Sequence, residues 1–493
     1  MKLVTARQMQ ELDRQTIQID KVSRKTLMRR AGRAVADAAR AMLRRGGRIL
    51  VFAGPGDNGG DAIIAADLLK RAGYRVQIFQ LPSSRRLGTL DVGLWTGVDL
   101  VIDGLFGTGL SRPVKGEFKE AIESLNRAKR ANPRLRVLAV DIPSGLNADT
   151  GKPMGAAVTA DVSVAFGLPK LGLVQQSAAD SVGKLRVADI GFSPARVSRI
   201  KSAAEYLTEA EIRPLVRARK PGSYKSDYGH VLVIAGSEGL HGAAWIAAHG
   251  ALAAGAGLVT LAVPRSIYGI VASQCRQVMV APIDDGGFGY FGELSWKQLE
   301  RLLAKKTALA IGPGFGRARH TLAFLEQLLG AARAPMVLDA DALTLMAAKP
   351  ALLRGLKAPA ILTPHPGEMA RLLGSNPKRV QENRLKIAAG FASKNHVVLV
   401  LKGARTVIAE PSGHLWINST GNAGLASGGS GDVLTGVIAG FAGQRLTPAD
   451  AAKLGVFIHG LAADRLADEP VVTGIKVEKL LEAISVALKA CRS

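Results

Sequence analysis

Residues 48–61 read RILVFAGPGDNGGD, and this segment decides how the first half of the chain folds. Its apolar run is typical of a buried strand, and the glycines that follow let backbone N–H groups come close to an anion. A helix beginning near Asp61 would add the favourable field of its N-terminus. The segment therefore predicts a strand, an anion-binding loop and a helix in succession.

Further strand-like runs extend this pattern on both sides of the segment. They are short, rich in Val, Ile and Phe, and lie at residues 75–79, 100–103, 136–141 and 162–166. Before the first strand, Thr5 and Gln8 have the spacing of a capping box, and a second amphipathic stretch runs through residues 27–43. Strands that alternate with helices predict a parallel sheet covered on both faces.

A second α/β domain follows a loosely patterned stretch. Residues 191–225 are polar, basic and interrupted by three prolines, so we place a domain boundary near residue 205. New buried runs then occur near residues 232–235, 259–263, 309–314, 337–341, 361–368 and 398–403. Because 493 residues exceed the usual size of a single core, the sequence predicts two domains, at residues 1–205 and 206–493.

Composition predicts a cytoplasmic protein without a disulfide framework. The chain has two cysteines, and its start, MKLVTARQMQELD, lacks the apolar core of a signal peptide. Residues 243–263 are mostly apolar, but Gly255 and Gly257 divide them, which favours a buried helix followed by a strand over a membrane span. We also expect a symmetric homo-oligomer, as is common for compact α/β enzymes.

The net charge of +25 raises the question of a nucleic-acid partner. The Lys and Arg residues are dispersed through helices, without interleaved aromatic residues or a nucleic-acid-binding signature. We therefore expect no nucleic-acid partner. A basic surface that attracts a phosphate-rich small molecule explains the charge better.

The first glycine-rich loop also contains the pattern GxGxxG at Gly54, Gly56 and Gly59, which by itself suggests a dinucleotide-dependent oxidoreductase. Such an enzyme has an acid at the end of the second strand, whereas this chain has Phe79 and Gln80 there, so hydride transfer is disfavoured.

Polar side chains follow two of the buried strands, with Asp103 after one and Asp141 and Ser144 after another. In a doubly wound sheet these positions converge at the carboxyl edge, where Asp141 could act as an acid or base near a bound phosphate compound. The alternative is that each Asp only caps the turn after its strand.

The segments TARQMQELD, LMRRAG, GPGDNGGD, DGLFGTGL and DIPSG occur in this order within residues 1–190, and together they resemble the NAD(P)H-hydrate epimerase family. The resemblance implies a Rossmann-like three-layer αβα domain that interconverts the R and S forms of hydrated NAD(P)H, with Asp141 as the proton shuttle. The implied ligands of the hydrated cofactor are Asp57, Asn58, Gly59, Gly60, Asp61, Gly107, Thr108, Gly109, Leu110, Ser111, Arg112, Pro113 and Asp141. Those of a potassium ion are Asn58, Asp103 and Ser144.

Two positions depart from that family. It usually has a second Asn where this chain has Asp57, and an acid where LMRRAG has Arg29. Asp57 would bring negative charge close to the substrate phosphates, which a bound cation would offset.

Residues 428–436 read GGSGDVLTG, a glycine-rich turn that leads into an apolar helix. Such a turn forms an oxyanion pocket, and Asp432 at its edge could deprotonate a hydroxyl beside a polyphosphate. The alternative is an Asp that merely occupies the first helical turn. The segment resembles the GxGD signature of the ribokinase-like superfamily, so a small-molecule kinase remains open at this point.

Other segments of the second half narrow this choice. SDYGHVLVIAGSEGLHGAAWIAA, GAGLVTLAVP, IGPGFG, VLDADAL, LTPHPGEMARLL, LKGART and GLASGGSGDVLTGVIAGF together resemble the ADP-dependent NAD(P)H-hydrate dehydratases over residues 208–490. The resemblance implies a ribokinase-like three-layer αβα domain. The implied contacts with the hydrated nicotinamide are Gly316, His365 and Asp432. Those with an adenine nucleotide, ADP with Mg²⁺, are Lys402, Gly403, Ala404, Arg405, Thr406 and Gly431.

Together the two resemblances predict a bifunctional isomerase and lyase for metabolite repair, with NADHX, NADPHX and ADP as small-molecule substrates. Two alternatives stay open. A kinase of the hydroxymethylpyrimidine or hydroxyethylthiazole type would accumulate a phosphorylated product. A non-catalytic N-terminal domain would bind the hydrate without exchanging its epimers.

Overall fold

The computed structural model describes residues 1–82, 92–467 and 473–492, and it divides the chain into two compact units, Met1–Ala204 and Glu205–Ser493. Each unit is built on its own predominantly parallel sheet. The prediction of an α/β fold is therefore confirmed for both halves.

The sheet of the first unit has six parallel strands in the order β2-β1-β3-β4-β5-β6. The strands are β1 (Arg48–Ala53), β2 (Arg75–Gln80), β3 (Leu100–Gly104), β4 (Arg136–Val140), β5 (Val162–Phe166) and β6 (Lys184–Ala188). The helices are α1 (Ala6–Gln18), α2 (Arg24–Met42), α3 (Asp57–Arg71), α4 (Val92–Trp95), α5 (Gly116–Ala131), α6 (Ala179–Val182) and α7 (Pro194–Arg199).

Alternation along β1 shows why this sheet needs a helical layer on each face. Ile49 and Val51 are buried in one apolar core together with residues of α1, α2 and α3, whereas Leu50 and Phe52 are buried in a second core with residues of α5. Successive side chains of a strand point to opposite faces, so both faces are covered. The three-layer arrangement predicted for this half is confirmed.

The predicted capping box at the first helix is also confirmed, because Gln8 N donates to Thr5 Oγ1 at 3.2 Å. The start predicted for α3, near Asp61, is wrong: the helix begins at Asp57, with Gly56 as its extended N-cap residue. Residues 57–60 therefore form the first helical turn, where the carboxylate of Asp57 is favoured by the helix dipole.

The sheet of the second unit has ten strands in the order β10-β9-β8-β11-β12-β13-β14-β15-β16-β7. They are β7 (Ala204–Tyr206), β8 (His230–Ile234), β9 (Leu258–Pro264), β10 (Met279–Ile283), β11 (Ala308–Ile311), β12 (Met336–Leu338), β13 (Ala360–Leu362), β14 (Val398–Leu401), β15 (Val407–Ala409) and β16 (Leu415–Ile417). The pairs from β10 to β14 are parallel, and β14, β15 and β16 pair antiparallel.

Thirteen helices of this unit lie in the described residues. They are α8 (Glu209–Ile212), α9 (His241–Ala253), α10 (Tyr268–Gln274), α11 (Trp296–Leu303), α12 (Arg319–Ala331), α13 (Ala340–Ala348), α14 (Ala351–Arg354), α15 (Pro366–Leu372), α16 (Pro377–Glu382), α17 (Arg384–Asn395), α18 (Ser430–Gly443), α19 (Pro448–Leu466) and α20 (Val477–Arg492). A large core joins α9, α18, α19 and α20 to one face of the sheet.

The apolar stretch at residues 243–263 forms α9 and β9, as predicted, and Gly255 makes the turn between them with φ +91°. No helix within the described residues is long and apolar enough to cross a membrane. Cys275 and Cys491 are both free thiols, in agreement with the expectation of no disulfide framework.

Candidate active sites

The loops after β1, β3 and β4 meet at the carboxyl edge of the first sheet. Gly54 N donates to Gly104 O at 3.0 Å, and a Cβ on Gly54 would lie only 1.9 Å from Leu105 O. A Cβ on Gly59 would in turn lie 1.9 Å from Gly54 O. The glycine-rich loop is therefore packed against the loop after β3 so closely that only glycine fits at these two positions.

Asn58, Asp103 and Ser144 are brought together around the backbone of Phe106. Asn58 Nδ2 donates to Phe106 O and to Val140 O, both at 2.9 Å. Ser144 Oγ accepts from Phe106 N at 2.8 Å, and Ser144 N donates to Asp103 Oδ2 at 2.8 Å. The three predicted potassium ligands thus form one cluster.

Asp103 is fully buried, and burial raises its pKa to about 6, although hydrogen bonds from Ser144 act in the opposite direction. In the described residues no group of three His, Cys, Asp or Glu side chains could hold a metal ion, so a cation here would rely on amide, hydroxyl and carbonyl oxygens around one carboxylate. That donor set fits a hard monovalent cation.

Asp141 has a buried cationic partner that the sequence analysis missed. Lys170, only 1% exposed, forms an ion pair with Asp141 Oδ1, and Phe166 N donates to the same oxygen at 3.0 Å. Asp141 has φ +64°, a conformation that a residue other than glycine adopts only where its surroundings enforce it. The signal for Lys170 was present, because LPKLG follows the buried run VSVAF and so lies at the same edge of the sheet.

Asp61 and Asp13 surround this ion pair with further acid groups. Asp61 is 6% exposed, and its Oδ1 has no hydrogen-bond partner among the described residues. Burial, with added repulsion from Asp141, raises the pKa of Asp61 to about 8. Burial likewise raises the pKa of Asp13, on α1, to about 6. The site therefore combines an ion-paired carboxylate with a carboxyl group that holds its proton at neutral pH.

Asp57, the departure from the family pattern, is exposed and forms an ion pair with Arg24 on α2. The second predicted binding segment, residues 107–113, begins beside Asn58, since a Cβ on Gly107 would lie 3.2 Å from Asn58 Oδ1. Ser111, Arg112 and Pro113 are exposed, and the next residue, Val114, donates from its backbone N to Met154 O at 2.8 Å.

The glycine-rich turn of the second unit leads directly into α18, as predicted, with Gly429 as the N-cap residue at φ +85°. Asp432 lies in the first turn of this helix. Burial, together with repulsion from Asp339, raises its pKa to about 7, while the charge of Lys402 lowers it. Asp432 is therefore a carboxyl group poised to exchange a proton near neutral pH.

Lys402 is surrounded by carboxylates. Its Nζ lies 2.7 Å from Asp339 Oδ1 and 3.8 Å from Glu368 Oε2, and a Cβ on Gly431 would lie 3.5 Å from it. Burial lowers the pKa of Lys402, but Asp339 and Glu368 outweigh this effect and raise it. Burial also raises the pKa of Glu368 to about 7. Lys402 directly follows the last residue of β14, and its Nζ lies close to Gly431 in the first turn of α18.

Asp339 and Glu368, in the segments VLDADAL and LTPHPGE, are site residues that were not predicted from the sequence. Asp339 is 1% exposed and also accepts from Thr435 Oγ1 at 2.6 Å. The signal was that Asp339 directly follows the buried strand β12, and that Glu368 lies in the first turn of α15, the helix after β13; the two strands end at the same edge.

His365 and Gly316 border this cluster. His365 is the N-cap residue of α15: its Nδ1 accepts from Gly367 N at 3.0 Å, and its Nε2 lies 3.3 Å from Glu368 Oε1. Gly316 N donates to Asp341 Oδ2 at 3.0 Å. Capping is thus one role of His365, and its half-exposed ring remains open to a ligand.

The segment Lys402–Thr406 is the tight loop after β14. Lys402 N donates to Pro364 O at 2.9 Å, and Thr406 Oγ1 donates to Gly403 O at 2.9 Å. Arg405 has φ +58° and donates from Nη1 to Tyr206 Oη at 2.7 Å. The structure therefore brings Lys402 to Asp432 and Gly431, while Arg405 is turned toward Tyr206.

Comparison with known proteins gives matches for both units. Residues 231–485 match the family model described as NAD(P)H-hydrate dehydratase, and residues 24–92 and 84–172 match the one described as YjeF-related protein N-terminus. A bifunctional NAD(P)H-hydrate repair enzyme of Moorella thermoacetica is 40% identical over 519 residues, which cover 99% of this chain and 97% of that one.

Solved structures resemble the second unit. An ADP/ATP-dependent NAD(P)H-hydrate dehydratase of Bacillus subtilis, co-crystallised with ATP and Mg²⁺, is 30% identical with a TM-score of 0.51 and covers 58% of this chain and 98% of that one. A ribokinase-like superfamily protein of Enterococcus faecalis is 26% identical with a TM-score of 0.52, over 59% and 98%. The chain therefore belongs to the family of bifunctional NAD(P)H-hydrate repair enzymes.

Proposed function

We propose that the chain repairs hydrated NADH and NADPH, with residues 1–205 as the epimerase domain and residues 206–493 as the ADP-dependent dehydratase domain. The observation that carries this proposal is the cluster of Asp432, Lys402, Asp339 and Glu368 at the start of α18. It places a base near neutral pKa beside a lysine and a helix N-terminus, which is what phosphoryl transfer to a hydroxyl requires.

In the dehydratase, Asp432 accepts the proton of the hydroxyl on carbon 6 of the hydrated nicotinamide as that oxygen attacks the terminal phosphorus of ADP. The bond to the bridging oxygen breaks and AMP leaves. The C6–O bond then breaks with the electron pair of the ring nitrogen assisting, phosphate departs, and loss of a proton from carbon 5 restores the double bond. Phosphorylation thus converts a poor leaving group into a good one.

Mg²⁺ bound with the nucleotide would neutralise phosphate charge during this transfer. The Bacillus subtilis relative co-crystallised with ATP and Mg²⁺ supports this assignment. On our proposal Lys402, Gly403, Ala404, Arg405, Thr406 and Gly431 contact the nucleotide, and Gly316, His365 and Asp432 contact the hydrated ring.

In the epimerase, Asp141 is the proton shuttle for the interconversion of the two epimers at carbon 6. Lys170 holds the carboxylate of Asp141 in place through the buried ion pair. The residues that bind the hydrated cofactor are those of the loops at 57–61 and 107–113. Asn58, Asp103 and Ser144 would hold K⁺, whose charge favours the nearby substrate phosphate. The clustering of these three residues around Phe106 supports this assignment.

The two activities fit one chain because a stereospecific dehydratase consumes one epimer and the epimerase supplies it from the other. Hydrated NAD(P)H and the nucleotide are then the small-molecule partners. A cytoplasmic location, the absence of a nucleic-acid partner and a homo-oligomeric state stay predictions from the sequence.

The test supplies purified protein with both NADHX epimers and follows the near-ultraviolet absorbance of reduced nicotinamide with ADP, with ATP and with neither. Complete recovery with ADP supports both activities, because a dehydratase without an epimerase would stop once one epimer is consumed. Recovery that stops at one epimer would contradict the epimerase assignment. No recovery with either nucleotide, with a phosphorylated product, would favour the kinase alternative.

A further inference from the structure

Arg384 is a buried cation in the second unit that the proposed chemistry does not use. It is the first residue of α17, and only 5% of it is exposed. Its guanidinium donates to Gln381 Oε1 at 2.8 Å, to Leu401 O at 2.9 Å and to Lys402 O at 3.2 Å. In the part of the chain that the structure describes, these partners are neutral oxygens, and none is a carboxylate.

A buried charge that lacks a counterion is costly, so its presence calls for an explanation. Burial lowers the pKa of Arg384 to about 10, which still leaves the side chain cationic at neutral pH. Perturbed ionisable groups of this kind concentrate at functional sites, where a ligand supplies the opposite charge.

The position of the guanidinium indicates which ligand that is. Leu401 ends β14, and Lys402 and Gly403 begin the loop that follows it. Gly403 has φ +142°, and a Cβ there would lie 2.9 Å from Arg384 Nη1. The guanidinium therefore occupies the space under Gly403 and fixes the peptide groups at the start of the loop.

The charge of Lys402 is not a substitute for that of Arg384. Lys402 lies beside Asp339 and Glu368, and Asp432 also acts on it, so its positive charge is neutralised within the cluster. Arg384, whose partners among the described residues are carbonyl and amide oxygens, contributes a net positive field at the same loop.

We infer that Arg384 is a positioning residue for the nucleotide: it holds the loop at residues 402–406 in shape and supplies positive charge from beneath it to the diphosphate of ADP. The inference rests on the proposed assignment of this loop to the nucleotide.

The test measures the Kd of ADP with Mg²⁺ by calorimetry, without hydrated substrate, and then kcat and the KM for ADP. We expect Arg384→Gln to raise Kd and KM at least about tenfold, with kcat at saturating ADP changed less than about threefold. Arg384→Lys keeps the positive charge but loses the planar guanidinium with its several donors, so we expect a smaller rise of Kd and KM, about threefold. Lys386→Gln is the control, because it removes an exposed cation from the same helix and should leave all three constants unchanged.

A folded Arg384→Gln protein that binds ADP with the Kd of the original chain would overturn the inference and leave the proposed function standing. Should Arg384→Gln not fold, Arg384→Lys decides: a Kd raised about threefold supports the inference, and an unchanged Kd overturns it. If the unsubstituted chain does not bind ADP, the nucleotide assignment fails and this inference fails with it. The two failures are thus distinguishable.

Discussion

The two proposed active sites neutralise their lysines, Lys170 and Lys402, differently. In the first unit Lys170 pairs with one carboxylate, Asp141, and the neighbouring acid Asp61 has one oxygen without a hydrogen-bond partner among the described residues. In the second unit Lys402 Nζ lies 2.7 Å from a carboxylate oxygen of Asp339 and 3.8 Å from one of Glu368, and the charge of Asp432 also acts on it.

This difference matches the chemistry proposed for each site. A proton shuttle is favoured where a carboxyl group that holds its proton acts together with an ion-paired carboxylate, and Asp61 with Asp141 meets this requirement. A base for phosphoryl transfer needs a pKa close to neutrality, and burial, with added repulsion from Asp339, raises the pKa of Asp432 to about 7. Lys170 therefore stabilises the charge of one carboxylate, whereas Lys402 limits how far the pKa of Asp432 is raised.

The strongest test of the comparison removes each candidate base in turn. We expect Asp432→Asn to slow ADP-dependent dehydration of the S epimer by about 10³-fold, because general base catalysis contributes roughly 10² to 10⁴. Epimer exchange should be unchanged in the same protein. Stopped assays with each purified epimer measure both rates.

Asp141→Asn is the reciprocal control. It should slow exchange between epimers and leave dehydration of the S form intact. Full dehydration by the Asp432→Asn protein would remove Asp432 from the mechanism, and loss of both activities in either variant would mean that the two sites are not independent.

The buried ion pair of the first unit gives the next largest effect. Lys170→Met should lower the free energy of unfolding of this unit by about 3 kcal/mol, because it leaves the nearly buried Asp141 without its cation. Hydrogen exchange of the amides of β4 and β5 measures this locally. Adding Asp141→Asn to Lys170→Met should recover part of the stability but none of the epimerase activity. If Lys170→Met alone is as stable as the unsubstituted chain, Asp141 does not depend on Lys170.

The sequence predicted the central parallel strands of both sheets and the edge strand β2, but not β6, β7, β10, β15 or β16. Buried runs such as ILVFA and VLVL are apolar throughout, so their pattern is visible without tertiary context. The strands β15 and β16 have three residues each, too few to give such a signal. The edge strand β10 is apolar, but it contains Pro282, which argues against a strand in the sequence.

The candidate sites show the same limit. Asp141, Asp432 and Lys402 stood out because they lie in glycine-rich or strand-end motifs. Lys170 has a visible strand-end position, but its pairing with Asp141 is not displayed by a single sequence. Arg384 lies in no such motif, and its importance comes from burial against the end of β14.

The pH dependence of stability provides a subtler test. Because the pKa of Asp61 is raised to about 8, the folded chain binds this proton more tightly than the unfolded chain does. Stability therefore falls as pH rises from about 4 to about 8, by at most ~1.4 kcal/mol per pH unit from this group. Asp61→Asn should flatten the change in stability between pH 7 and 8. This range lies above the pKa values of about 6 of Asp13 and Asp103, so those two groups contribute little to it. Hydrogen exchange in β1, corrected for intrinsic rates, would measure this dependence of stability on pH. If Asp61→Asn leaves the dependence unchanged, Asp61 is ionised in the folded chain.

The smallest effect concerns Arg24, the exposed partner of Asp57. Without this cation, the carboxylate at the start of α3 would repel substrate phosphates, so we expect Arg24→Gln to raise the KM for hydrated NADH. Exposed ion pairs contribute roughly 0–1 kcal/mol, which limits the rise to about fivefold, and salt should suppress it. Pairing Arg24→Gln with Asp57→Asn should return KM to its original value, since Asn carries no charge to repel the phosphates. If KM stays high in the double variant, Arg24 contacts the substrate directly. The rise in the Kd for ADP caused by Arg384→Gln should depend far less on salt, because the cation that it removes is buried. This contrast would separate the effect of an exposed charge from that of a buried one.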